Sequence, residues 1–400
     1  MGLYLAKCSP AASKTHIFDL NDVELLHVMK FLSPKDLYSF SRVCKRFAIL
    51  FRIKVRSNRS LININRHLTA SLLNMSMIKM YKSRITPYVE ISIDYRKLLN
   101  TLILHMQHIE SLWLDGCIDI NDNNVYLVGD YLPNLRNLWL FNLNVSDRGL
   151  ETLFKFSPRL RRLALKSLDV HGKCFQTINS ELISLSILLC WGPDNEGQRI
   201  ITNKLSESLQ ELIIVNKGFQ GDNVANNVID KFSKIETLIL RVRINPATVL
   251  RLRQLPNLRH LQLFLDEIRP REVAFFHTMN NIKSLHLEFG SASDQSLAQV
   301  LLRFPNVEVL NIRSETRPES TTEQIDAICN LQLLKKLTIT TFRIFENGEQ
   351  FSRLANCEQL HSVKIGYVHR ECVHQIVSAF TRSANQIRKK AVEMKIDPHY

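Results

Sequence analysis

The sequence predicts an α/β chain. A short three-helix module precedes a solenoid (horseshoe) of about twelve repeats, with a parallel inner sheet and outer helices. Three observations predict it. An apolar–x–x–apolar–x–apolar string recurs from residue 88 onward at spacings of 21 to 27 residues, the length of one strand plus one return helix. Segments of helical periodicity separate the strings. Residues 18–51 follow a different pattern, with capping residues of their own.

The clearest strings begin at Ile109, Leu135, Leu160, Leu182, Leu209, Ile235, Leu258, Ile282, Val307 and Leu334; HSVKI after Leu360 closes the series, and YVEISI at Tyr88 is a weaker first copy. The fourth and sixth positions flank one outward residue, so both point into the same core. Between strings, GLETLFKF from Gly149, TVLRLRQL from Thr248, REVAFFHTM from Arg271 and SLAQVLLRF from Ser296 read as helices. Pro133, Pro158, Pro256 and Pro305 stand just ahead of the next strand. Each stops the preceding helix and fixes the entry to the strand. One strand then one helix, repeated, requires parallel strands and hence a solenoid.

In residues 18–51, Asn21 is placed to cap a helix with Glu24 three residues on. Leu25, Leu26, Val28, Met29 and Leu32 form its apolar face. Ser33, Pro34 and Asp36 restart a second helix. Val43, Phe47, Leu50 and Phe51 stripe a third. So small a bundle buries little surface, which leaves apolar side chains for a partner to cover. The boundaries are 16–55 for this module, 56–87 for a basic joint capping the solenoid, 88–371 for the repeats and 372–400 for a C-terminal cap and tail. Within the joint, a helix over Arg66–Tyr81 is expected. Near the other end, Cys372–Ser383 reads as a helix and AVEMKI from Ala391 as a candidate last strand.

The chain has 400 residues, 45% hydrophobic and 22% charged, which excludes a wholly disordered, collagenous or coiled-coil protein. Its net charge of +14 is concentrated. Leu37 to Val89 contains no Asp or Glu and eleven bases, from Arg42 to Arg84. Eight cysteines are scattered without a CxxC pair, which reads as reduced thiols in a cytoplasmic or nuclear protein. The first residues lack a secretory pattern, and the longest apolar run, near Leu182, is half of a membrane span.

Chemistry-bearing motifs are missing. The chain has no GxGxxG, phosphate-binding GxxxxGK[ST], GxSxG or HExxH. His369 and Glu371 match the HxE of zinc deaminases without the required PCxxC. Cys357, His361, His369, Cys372 and His374 lie close in sequence but not at finger or ribbon spacing. No catalytic residue, cofactor or metal is assigned.

Binding surface remains. Positions three, five and seven of each string face away from the core, onto the concave sheet. Trp113 and Trp139 fall on adjacent strands, with Phe141 beside them. Leu188, Ile213, Val215 and Ile239, with Phe264 at the edge, make a second apolar patch at mid-array. Arg241 and Arg313 are a candidate pair for an anion. These ten residues are the expected target contacts. Charge on the face is nearly balanced, unlike a nucleic-acid groove.

Two resemblances sharpen the reading. Residues 18–51 resemble an F-box: its LL…I…L helix, Pro-x-Asp-Leu turn and Val-Cys-Lys-Arg-Trp finish fall on Leu25, Leu26, Val28, Leu32, Pro34, Asp36, Leu37, Val43, Cys44, Lys45, Arg46 and Phe47. Asn21 replaces the usual Pro after Leu20, and Phe47 the usual Trp. The repeats resemble the cysteine-containing leucine-rich repeats, with Cys117 and Cys190 at position nine and LNVSDRGLETL (Leu143–Leu153) as the strand-to-helix turn. Most other repeats lack the position-nine residue. The resemblance implies a substrate-recognition subunit of an SCF-type (Skp–cullin–F-box) ubiquitin ligase. Leu20, Leu25, Leu26, Val28, Leu32, Pro34, Leu37, Val43, Cys44 and Phe47 would bind the Skp-type adaptor, and through it the cullin and RING subunits. The repeats would hold a target protein for ubiquitination and proteasomal degradation. Two rivals stay open: an interaction scaffold that feeds no ligase, and a nucleic-acid-binding protein using the basic 37–89 segment.

Overall fold

In the computed structural model, the described residues are 17–29, 31–32, 40, 43–47, 49–50, 62–65, most of 110–369, and 373–378, 381–382 and 393–399. Thirteen strands form one sheet in chain order: β1 (Ile62–Asn65), β2 (Ser111–Asp115), β3 (Asn137–Phe141), β4 (Arg162–Lys166), β5 (Ser184–Leu188), β6 (Glu211–Gln220), β7 (Thr237–Arg243), β8 (His260–Ile268), β9 (Ser284–Ala292), β10 (Val309–Ser314), β11 (Lys336–Thr341), β12 (Ser362–His369) and β13 (Glu393–His399). Neighbouring strands are parallel.

The eleven strings from Ile109 to Leu360 all became strands, beginning at position three and paired position by position. Trp113 pairs with Trp139, and Trp139 with Ala164. Positions four and six are buried throughout, from Leu112 and Leu114 to Val363 and Ile365. Position one joins the same core from Leu135 to Leu360. Each repeat thus buries its apolar face only by stacking on its neighbours.

The chain leaves each strand by a shared device. Position eight takes the left-handed conformation in four successive repeats, at Gly116 (φ 67°), Asn142 (φ 53°), Ser167 (φ 54°) and Leu189 (φ 52°). Its N–H donates to the position-seven carbonyl of the next repeat, at 3.0 Å for Gly116 to Phe141 and 2.7 Å for Leu189 to Val215. The thiols of Cys117 and Cys190, at position nine, donate to Asp115 and Leu188 carbonyls. Burial pushes the Cys190 thiol up from its ordinary value.

After α1 (Asp22–Val28) in the N-terminal module, the sheet strands are joined by α2 (Tyr126–Tyr131), α3 (Asp147–Lys155), α4 (Asn195–Leu205), α5 (Gly221–Lys231), α6 (Pro246–Arg251), α7 (Asp294–Leu301) and α8 (Thr322–Cys329). Acids at or just before helix starts tie one repeat to the next. Asp147 accepts from the backbone N–H groups of His171, Gly172 and Cys174. Asp122 accepts from the Ser146 N–H and hydroxyl, and Asp222 from the Asn245 N–H and Thr248 hydroxyl.

Two expectations change. The place beside β2 is taken by Ile62–Asn65, so the sheet begins inside the segment expected to be a joint; the strand at Tyr88 and the helix over Arg66–Tyr81 lie outside the described residues. In the stretch from Arg271, where a helix is expected, the described residues are one 3-10 residue at Val273 and coil over Phe276–Met279. Val273, Phe276 and Met279 still reach the core, so burial alone met the apolar pattern. The candidate last strand at AVEMKI is present as β13, at the end of the sheet beside β12, where Pro398 has no backbone N–H to offer a further strand.

Candidate functional site: a helical module and the open sheet face

The N-terminal module is a core of four side chains, Leu25, Met29, Phe47 and Leu50, each at most 1% exposed. Asn21 caps α1 from both directions. Its side chain accepts from the Val23 and Glu24 N–H groups, and its own N–H donates to Glu24 Oε2 at 2.8 Å. Arg46 ties the later helical segment back to the start. Its guanidinium donates to Asp22 Oδ1 at 2.8 Å, to the Phe18 carbonyl at 3.1 Å and to the Leu20 carbonyl at 2.7 Å. Phe47 stacks between Phe18 and Phe40, at centroid distances of 5.3 and 4.1 Å.

This placement divides the residues expected to meet an adaptor. Leu25 and Phe47 are sealed inside the module's own core. Leu20, Leu26, Leu32 and Cys44 pack against that core and stay half-buried, as is Val28. Val43 is 56% exposed. Pro34 and Leu37 lie outside the described residues. Reading the sequence for one apolar face missed the outward one. Phe18, Val23, Phe31 and Ile49 are all exposed, Val23 at 76% and Phe31 at 78%. The i, i+4 spacing of Val23, His27 and Phe31 was the available signal: it sets them on one row apart from Leu25 and Met29, and His27 and Phe31 are in edge contact.

All ten expected target contacts lie on the open sheet face, each half-buried. Trp113 and Trp139 are neighbours on β2 and β3, with ring centroids 6.2 Å apart. Phe141 meets Trp113 edge-on at 5.0 Å, and the Lys166 ammonium sits 5.7 Å from the Phe141 centroid. The Trp113 indole N–H is enclosed and has no hydrogen-bond partner among the described residues. Leu188 pairs with Val215, and Ile213 with Ile239, across β5, β6 and β7. Lys166 pairs with Leu188, so position seven links the two apolar patches in one row. Phe264 pairs with Glu288 beyond them.

Arg241 and Arg313 do not form an open anion site. They converge on Glu288, a carboxylate 2% exposed, at 2.6 and 3.8 Å. The buried acid already supplies the negative charge, because two cations flanking one carboxylate offset its desolvation. Beside it on β9, burial lowers the His286 imidazole from its ordinary value, with Glu288 opposing and Arg241 and Arg313 reinforcing the shift. Among the described residues, no three His, Cys, Asp or Glu side chains converge as a metal site.

The F-box domain family matches residues 17–56. F-box/LRR-repeat protein 12 of Arabidopsis thaliana is 38% identical over 53 residues, which is 13% of this chain and 13% of that protein. The yeast Rad7 and Elc1 complex contains a chain similar at a TM-score of 0.42 and 16% identity, over 88% of each chain. Residues 17–56 thus carry the F-box domain match, and the thirteen parallel strands stack in chain order as a solenoid of leucine-rich strings.

Proposed function

We propose that this F-box and solenoid chain is the substrate receptor of an SCF-type ubiquitin ligase. The F-box would dock on a Skp-type adaptor, and the open sheet face would hold a target protein. The observation that carries the reading is the F-box match over 17–56 on a module that buries four side chains and leaves Phe18, Val23, Phe31, Val43 and Ile49 exposed. Exposed apolar side chains on so small a module suit a partner's apolar surface. No bond-making residue is needed here: the receptor's contribution is proximity of target to the ubiquitin carried by other subunits.

Co-expression with a Skp-type adaptor tests it. The chain should co-purify with the adaptor. Phe31→Glu with Val43→Glu should abolish that while leaving the solenoid's unfolding unchanged, because both side chains lie outside the module's core. Adaptor binding that survives both charges contradicts the reading.

A further inference from the structure

Cys329 closes α8, and Cys357 lies in the next repeat, just before the string at Leu360. Their sulfurs are 2.9 Å apart, each still a thiol. That is within about 1 Å of covalent S–S distance, and the two stand 28 positions apart, about one repeat. The surrounding contacts hold the pair in place. The Cys329 thiol donates to the Arg353 carbonyl at 3.5 Å, and the Arg353 guanidinium donates to both oxygens of Asp326, at 2.7 Å each. Asp326 and Cys329 stand three apart on one helix, so one face of α8 is fastened to the 353–357 segment by an ion pair and by the sulfurs. Cys329 is half-exposed and Cys357 is 6% exposed.

We propose that Cys329 and Cys357 are a covalent modification site, an inter-repeat disulfide closed by a low-molecular-weight disulfide such as oxidised glutathione. The half-exposed Cys329 thiolate attacks one sulfur of the small disulfide, forms a mixed disulfide and releases one small thiol. The Cys357 thiolate then attacks Cys329 Sγ and releases the second. Two protein thiols are oxidised and one small disulfide is reduced to two thiols, so atoms and electrons balance. The bond staples α8 to the following repeat, and coupling in a solenoid passes between adjacent repeats.

The test is peptide mapping of the full chain after incubation with oxidised glutathione, followed by alkylation. The expected result is one linked pair of peptides containing Cys329 and Cys357, lighter by two hydrogen atoms and separated by dithiothreitol. It should form in native buffer, and the unfolding midpoint should rise by several degrees in the oxidised chain. Cys329→Ser should give no link and no rise. Alkylation of both thiols, a persistent glutathione adduct on Cys329, or a link that forms only in denaturant would each overturn the proposal.

Discussion

The Arg241 guanidinium reaches across β8 to donate to Glu288 Oε1 at 2.6 Å, bringing an arginine of β7 to a carboxylate of β9 that is 2% exposed. A buried carboxylate deprived of its partner is costly. Arg241→Met should therefore lower stability by about 2–3 kcal/mol, below the usual range for a buried pair because Arg313 remains at 3.8 Å. Pairing it with Glu288→Gln should restore most of the loss. Denaturant midpoints of the single and double variants check this; equal losses in both would show the pair contributes nothing.

His286 predicts a pH dependence. Its folded-state pKa lies below the ordinary 6.5. As pH falls through that value the unfolded chain takes a proton that the folded chain refuses, so stability drops on the acid side. His286→Gln should flatten the stability profile below pH 6.5. A profile identical to the parent chain's would refute the assignment.

Leu189 bears a cost at its left-handed turn. It has φ 52° and is 56% exposed, so it strains its backbone and buries little in return. Asn142 occupies the equivalent turn at φ 53°. Leu189→Asn should stabilise the chain by about 0.5–1 kcal/mol. Thermal unfolding reads it, and destabilisation would mean that the side chain packs usefully.

Asn21 replaces the proline usual in an F-box and caps α1 in both directions. Asn21→Ala should cost about 1 kcal/mol of module stability, and Asn21→Ser should restore it. The readout is adaptor affinity, with the solenoid's unfolding as control.

The solenoid was legible because its signal is local and repeated. Leu138 and Leu140 are buried for the same reason as Leu310 and Ile312, and the pattern needs no tertiary information. β1 was harder: ININ is short, and its neighbour in the sheet begins 46 residues after its end. The stretch at Arg271 misled because Val273, Phe276 and Met279 satisfy helical spacing, yet Val273 is buried in a 3-10 turn and the other two in coil. The two tryptophans were legible once the register was fixed, since both stand at position five. That Glu288 claims Arg241 was not, because the pair skips a strand and depends on side-chain reach. In the F-box, apolar identity did not separate Leu25, which is sealed in, from Phe31, which is exposed; only the row on the helix does.

The most direct test is ubiquitin transfer in a reconstituted assembly of this chain with adaptor, cullin, RING subunit and charged conjugating enzyme, using a protein captured by the full chain as target. Transfer should require the adaptor and be lost in Trp113→Ala with Trp139→Ala, although that variant still co-purifies with the adaptor. Undiminished transfer in the double variant, or equal transfer without the adaptor, would contradict the receptor role.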